Sequence, residues 1–365
     1  MENQLNTDPF PIAPKARNSA AVHTHSPVSS GSAWGAGTYF QIFFLVAAVW
    51  MAVVFRGTEA FTTFSIIFSS IVLEAMPFML LGTLLGGCVE VFLSRDRLIR
   101  ILPKSPKLAI VLAAFMGVLF PVCECAIVPV VRKFIRKGMP LGSAVAFLLG
   151  GPIVNPLVFS STLVAYSFSW EVAVLRTFTG AAIAVGIGLL IHSCISERQA
   201  LLPAHEEEGH CCHPGCSHDH HDHTGQPFSK KIAAALSHGA MDFYDIGRFL
   251  IIGAFIAAAL QTVVPRQAFF DVATGSLAAI AVMMILAVVL NLCSEADAFI
   301  AASLAPIGIP LSAQLAFMVL GPMLDIKLIL MYMSVFTRKM ILILSFSTLT
   351  FVFLAMAFME MVQWL

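Results

Sequence analysis

The sequence predicts an all-α polytopic membrane protein made of two internal repeats, and three observations carry that reading. First, 58% of the 365 residues are hydrophobic and only 12% are charged, about half the charged share of a soluble domain. No soluble core of this size could bury that much apolar surface. Second, stretches long enough to cross a bilayer core of roughly 20 residues recur at about 38–55, 61–92, 108–131, 140–168, 171–195, 242–264, 271–292, 310–336 and 340–364. Third, the chain resembles itself at an offset of 170. Gly138-Met139-Pro140-Leu141 falls on Gly308-Ile309-Pro310-Leu311, Gly151-Pro152 on Gly321-Pro322, Cys123 on Cys293 and Asn155 on Asp325. One residue of slip adds Gly82 on Gly253 and Glu74 on Asp245.

Taken in order, residues 1–37 are rich in Pro, Ser, Asn and Ala without apolar periodicity and read as a disordered tail, too long before the first apolar run to be a cleaved signal peptide. Residues 38–56 form one extra helix, 60–195 the first repeat, 196–239 a hydrophilic loop, and 240–365 the second repeat. The loops flanking 108–131 are both basic, with Arg95, Arg97, Arg100, Lys104 and Lys107 before it and Arg132, Lys133, Arg136 and Lys137 after it. A spanning helix would put one cluster outside, against the positive-inside rule. A re-entrant hairpin broken near Pro121 keeps both in the cytoplasm. Three crossings and one hairpin per half make the second repeat inverted, with its own hairpin at about 271–300 and the 196–239 loop cytoplasmic. Broken helices then meet at the midplane, an architecture common among secondary transporters.

The chemistry-bearing residues cluster at these breaks. Cys123-Glu124-Cys125, at membrane depth, sets a carboxylate between two soft thiols, and its repeat counterpart is Cys293-Ser294-Glu295-Ala296-Asp297. Thiolates favour soft metals and metalloids. A buried cysteine alone is an ordinary small hydrophobe, but a carboxylate at the bilayer centre costs roughly 2.5–3.5 kcal/mol even on lenient scales and is a functional candidate by default. Gly150-Gly151-Pro152 and Gly321-Pro322 interrupt the long apolar segments, placing Asn155 and Asp325 beside the interruptions; a packing kink is the simpler alternative there. Lys327 needs an anionic partner at that depth. Helical spacing turns it from Asp325 and toward Glu295 or Asp297. Glu74, just before Pro77, is a proton-coupling candidate that would serve equally as a kink cap.

The 196–239 loop carries His205, His210, Cys211, Cys212, His213, Cys216, His218, His220, His221 and His223. Imidazole and thiolate at this density bind Zn, Cu, Ni or Co without a fixed geometry, and such tracts buffer or sense metal more often than they transport it. No phosphate-binding loop, C-x-x-C, haem-attachment or serine-nucleophile pattern occurs, so neither ATP-driven pumping nor an enzyme is expected. The membrane domain requires no cofactor. The formal net charge of zero gives no reason to expect a nucleic-acid partner.

The run Cys123-Glu124-Cys125 through Pro129, with Lys137-Gly138-Met139-Pro140, Gly151-Pro152 and Asn155-Pro156, resembles the predicted permease family that includes the organoarsenical efflux permeases. The second half, Asn291-Leu292-Cys293-Ser294-Glu295-Ala296-Asp297 and Gly321-Pro322-Met323-Leu324-Asp325-Ile326-Lys327, is similar to that family's uncharacterised bacterial branch. The resemblance spans about 60–350 and implies a multi-pass permease of the bacterial inner membrane whose characterised relatives export trivalent organoarsenicals through membrane cysteines. Here a Glu stands between the two cysteines where that family carries a small residue.

These readings converge on a secondary exporter of a small thiophilic metalloid or metal species, embedded in lipid and capable of homo-oligomerising. Cys123, Cys125 and Cys293 would bind substrate, and Glu124, Glu295 and Asp297 would carry its charge or the coupled proton. Asn155, Asp325 and Lys327 would complete the same substrate-binding set. The alternative is a membrane-anchored metal sensor or metal-handling partner that works through the His/Cys-rich loop. A membrane thiol oxidoreductase using Cys123 and Cys125 is a third reading, opposed by the divergence of side chains two apart on a helix.

Overall fold

Each half of the chain follows the same succession of helices: one long, two short around a break, two more short around a second break, and one long. The computed structural model describes residues 46, 57–92, 103, 105–119, 123–195, 200, 228–263 and 275–362. In the first half these helices are α1 Glu59–Phe92, α2 Pro106–Ala114, α3 Glu124–Arg136, α4 Leu141–Gly150, α5 Pro156–Ala165 and α6 Trp170–Cys194. The second half has α7 Phe228–Val263, α8 Ser276–Leu290, α9 Ala296–Leu304, α10 Leu311–Leu320, α11 Ile326–Tyr332 and α12 Arg338–Met361. All twelve lie in the unit Gly57–Leu365. The extra helix expected at 38–56 and the His/Cys-rich tract 205–223 fall outside the described residues, apart from helical Val46.

Four of these helices, α1, α6, α7 and α12, are long and apolar enough to cross a bilayer. They carry exposed Leu73 and Leu81 on α1, Phe178 on α6 and Phe346 on α12, an outer surface that only lipid would solvate well. The apolar stretches at 108–131, 140–168 and 310–336 are not continuous helices, and that at 271–292 ends at Asn291. Pro106 and Pro156 stand in the first turns of α2 and α5, where a missing N–H costs nothing. Asn291 ends α8 in the left-handed conformation, φ 51°, which Asn tolerates better than most residues. One boundary departs from expectation: α7 begins at Phe228, inside the stretch read as hydrophilic loop. Residues 228–241 are Ala-rich and form a helix despite their lysines and histidine, and Ala235 and Gly239 there pack on α1.

Glycines set how closely the helices approach. α1 and α7 run antiparallel: Gly87 abuts Ala235, a β-carbon on Gly239 would lie 3.0 Å from the Thr83 carbonyl oxygen, and one on Gly247 would lie 3.1 Å from Met79. Further along, Ile71 packs with Ala254 and Ala257, and Phe64 meets Phe255 edge-on at 5.1 Å. Small residues permit such backbone proximity without a hydrophobic driving force between helices. α4 and α5 together run antiparallel along α6. Gly142 faces Gly188, Ile153 faces Gly180, and Thr162 faces Arg176, so the broken pair travels the length of one long helix in one direction.

In both halves the first break is lodged against the second. Gly117, just before the α2–α3 break, abuts Gly151, and a β-carbon on it would lie 2.7 Å from the Val154 carbonyl oxygen. Gly151 in turn meets Ile127, while Gly321 meets Asp297, with a β-carbon there 2.5 Å from Oδ2. Ile127 and Asp297 are themselves 170 residues apart. Gly138 and Gly308, at the ends of the second short helices, have φ of 93° and 88°, a conformation that glycine adopts without strain.

At the end of α3 remote from its cysteines, Arg132 and Lys133 reach α1 and α7. Lys133 Nζ lies 2.9 Å from Asp242 Oδ2 and 3.8 Å from Glu90 Oε2. Arg132 Nη1 lies 3.7 Å from Asp242 Oδ1 and 3.6 Å from Asp245 Oδ2.

Candidate functional site

The α2–α3 and α8–α9 breaks open onto one pocket. Its lining comes from α1 (Ile71, Glu74, Ala75, Phe78), from the start of α3 (Cys123, Glu124, Cys125), from the α8–α9 break (Asn291, Cys293, Glu295) and from α11 (Lys327). Cys123 is the residue before α3 and has extended backbone, φ −76° and ψ 172°. That geometry removes the helical objection to Cys123 and Cys125 facing one site, and both line the pocket. Cys293 lines the pocket with Glu295 and with Glu74, so a first-half carboxylate and a second-half thiol share one site.

Glu124 is 1% exposed, and among the described residues its hydrogen-bonding side-chain partners come from the other half. Lys327 Nζ lies 3.1 Å from its Oε1. The Ser294 hydroxyl lies 3.3 Å from its Oε2 and also 3.3 Å from Glu295 Oε2; with one proton, it donates to one carboxylate at a time. Glu124 and Ser294 are 170 residues apart, so equivalent positions of the two halves touch each other.

Lys327 corrects one expectation. It pairs with Asp325 at 3.3 Å and with Glu124, not with Glu295 or Asp297. The helical-spacing argument fails because Asp325 is not in the helix. It caps α11 from an extended backbone, φ −137° and ψ 175°, and its Oδ1 accepts from Leu328 N at 2.7 Å. Its other oxygen is thereby turned to Lys327. The Lys327 backbone N–H donates to Asn291 Oδ1 at 3.2 Å, tying α11 to the α8–α9 break.

Asn155 holds the corresponding cap of α5, accepting from Leu157 N at 2.9 Å, and is buried outside the pocket lining. Asp297 is 1% exposed, packs on Gly321, and leaves Oδ2 without a hydrogen-bond partner. It too stands behind the pocket. Among the described residues no three of His, Cys, Asp and Glu converge as a ready-made metal site.

Arg176 was not singled out from sequence, although an arginine inside the apolar stretch 171–195 is an intramembrane charge of the same kind as Glu124. It is 1% exposed. Nη1 donates to Thr162 Oγ1 at 2.8 Å, and Nη2 to the carbonyls of Ser294 at 2.8 Å and Met318 at 3.0 Å. A first-half arginine thus braces the backbone that carries Cys293 and Glu295. Carbonyl acceptors leave no trace in a sequence, which is why its partners could not be read there.

Residues 60–361 match the family described as "Predicted permease". Over 286 residues, 78% of this chain and 93% of the relative, the sequence is 40% identical to UPF0718 protein YcgR of Bacillus subtilis (strain 168). It is also 40% identical over 277 residues, 76% of this chain and 88% of the relative, to a Streptococcus mutans protein named as a two-component membrane permease complex subunit. With UPF0718 protein YraQ of Escherichia coli (strain K12) it shares 30% identity over 119 residues, 32% of this chain and 33% of the relative. No solved structure matches. Four helices fit to cross a bilayer, in a chain matched by that family from its first described long helix to its last, identify a multi-pass membrane protein that belongs to the predicted permease family.

Proposed function

We propose that this chain is a secondary permease of the bacterial inner membrane, exporting a thiophilic metalloid or metal species through the pocket between its two halves. One observation carries this reading: three thiols, three carboxylates and one ammonium from both halves line a single pocket where helices are broken. Broken helices expose backbone polar groups at membrane depth only where protein or a cavity receives them. Cys123, Cys125 and Cys293 would hold the substrate. Glu74, Glu124 and Glu295 would take up the proton whose return drives export, and alternating access would follow from rocking of one half against the other.

Three features support inverted repeats. The helices that open the two halves, α1 and α7, pack antiparallel. The broken pair α4–α5 parallels all of α6, which gives three crossings per half. A contact between equivalent positions, Glu124 and Ser294, is what a twofold pseudo-axis produces. Basic residues at the end of α3 support a cytoplasmic 196–239 loop, whose histidines and cysteines would bind Zn, Cu, Ni or Co. The name of the Streptococcus mutans relative supports a further reading, that a second subunit joins the permease.

Uptake into everted membrane vesicles tests the proposal. Trivalent methylated arsenic, Zn, Co, Ni and Cu(I) are offered to vesicles holding the wild type or the Cys123→Ser/Cys125→Ser/Cys293→Ser variant. Saturable accumulation of one species that the triple variant loses is expected. Accumulation unchanged in the triple variant would remove the thiols from the transport site.

A further inference from the structure

We propose that Lys327 determines specificity: its tethered ammonium fills the cation position between Glu124 and Asp325, so that the pocket rejects free divalent metal cations. The inference rests on the pocket being the substrate site.

The geometry is that of an occupied cation site. Lys327 Nζ stands 3.1 Å from one carboxylate and 3.3 Å from another, and all three residues are at most 3% exposed. The two anions come from opposite halves, so the ammonium sits in the seam. Its backbone is pinned at both ends of the first turn, by Asn291 through the N–H and by the Asp325 cap beside it. A bare dication needs several oxygen, nitrogen or sulfur donors in its first shell. Here Glu124 shares the Lys327 ammonium with Asp325 and is bonded by Ser294, so the oxygens a dication would need are already engaged. The dication would also meet the fixed positive charge at short range in a medium that screens it poorly. A neutral thiophile that bonds sulfur covalently meets neither obstacle.

The repeat sharpens the point. The position equivalent to Lys327 in the first half is Leu157 and that equivalent to Asp325 is Asn155. One half caps its short helix with a neutral amide and carries no cation, while the other carries an ion pair. A cap alone does not require the ammonium, since Asn155 serves without one.

The test reads Cys293, the half-buried thiol of the three, in the purified full chain in lipid nanodiscs. Its alkylation by N-ethylmaleimide is followed by peptide mass spectrometry, so that zinc held by the His/Cys-rich loop is read separately. Zinc should change the rate less than twofold in the wild type and in Lys327→Arg, and slow it at least tenfold in Lys327→Gln, where Glu124 is freed. Lys327→Met substitutes for the Gln variant if that chain fails to fold. Equal protection by zinc with and without the ammonium, or no protection in either neutral variant, overturns the proposal. Phenylarsine oxide, a neutral trivalent thiophile, should protect Cys293 in every variant. Its failure to do so in the wild type would discard the thiol site itself, leaving the zinc result to judge Lys327 alone.

Discussion

Asn155 and Asp325 occupy the same position in the two halves, and each closes the first turn of a helix with a side-chain oxygen. The pair separates capping from charge. Asn155→Ala should cost about 1 kcal/mol, the ordinary worth of an N-cap. Asp325→Ala strips the cap and one partner of a buried ammonium and should cost on the order of 3 kcal/mol or more, while Asp325→Asn keeps the cap and isolates the charge. SDS-titration midpoints of the three variants check the order. Arg176→Ala orphans the Ser294 and Met318 carbonyls, so a loss of about 3 kcal/mol is expected in the same assay. Arg176→Lys should recover only part of it, because an ammonium cannot span three acceptors in a plane. At this scale the sequence showed which charges were out of place but not whom they met. Lys327 was legible as a group needing an anion; that Glu124, 203 residues away, supplies it depends on how the halves dock.

The elements were more legible than their contacts. Gly-Pro pairs at 151–152 and 321–322 marked the breaks because Pro withholds a donor and Gly stiffens nothing, and helices do end there, at Gly150 and Leu320. The start of α7 was missed since hydropathy locates the apolar span, and an extension rich in Ala, Ser and Lys beyond it carries no such signal. Glycine contacts were legible as positions only. Gly87→Ala drives a methyl into the Ala235 carbonyl and should loosen α1 from α7 at a cost of about 1–3 kcal/mol. Gly275→Ala, at a helix start with nothing within 4 Å of the new atom, should be silent. Thermal midpoints in detergent distinguish the two.

Among the described residues, positions 170 apart differ in charge. Arg132 and Lys133 join Glu90, Asp242 and Asp245 at one end, whereas the positions 170 further on are Ala302 and Ser303. A reporter fused after Lys137 should therefore report the cytoplasm and one fused after Gly308 the periplasm. Both on one side would make the repeats parallel. Reversing the buried pair singly, by Lys133→Asp or Asp242→Lys, should destabilise the chain by about 3–5 kcal/mol, and the double swap should restore much of it, measured as a double-mutant cycle. The proposed duplication was legible in the sequence as glycines and prolines recurring at a fixed offset. The asymmetry of the site was visible only as unmatched residues whose purpose needed three dimensions.

The touching of Glu124 and Ser294 has a mechanical consequence. A point on the axis of a rotation does not travel, while a point at the rim travels in proportion to its lever arm. If the halves turn about the line through these two residues, their hydrogen bond works as a pivot that survives the turn. The Arg132–Asp245 and Lys133–Asp242 pairs, out on one arm, are then the latches that must open. Stiffness at the hub and breakable charge at the rim would let the pocket change sides while its central carboxylate stays in one place.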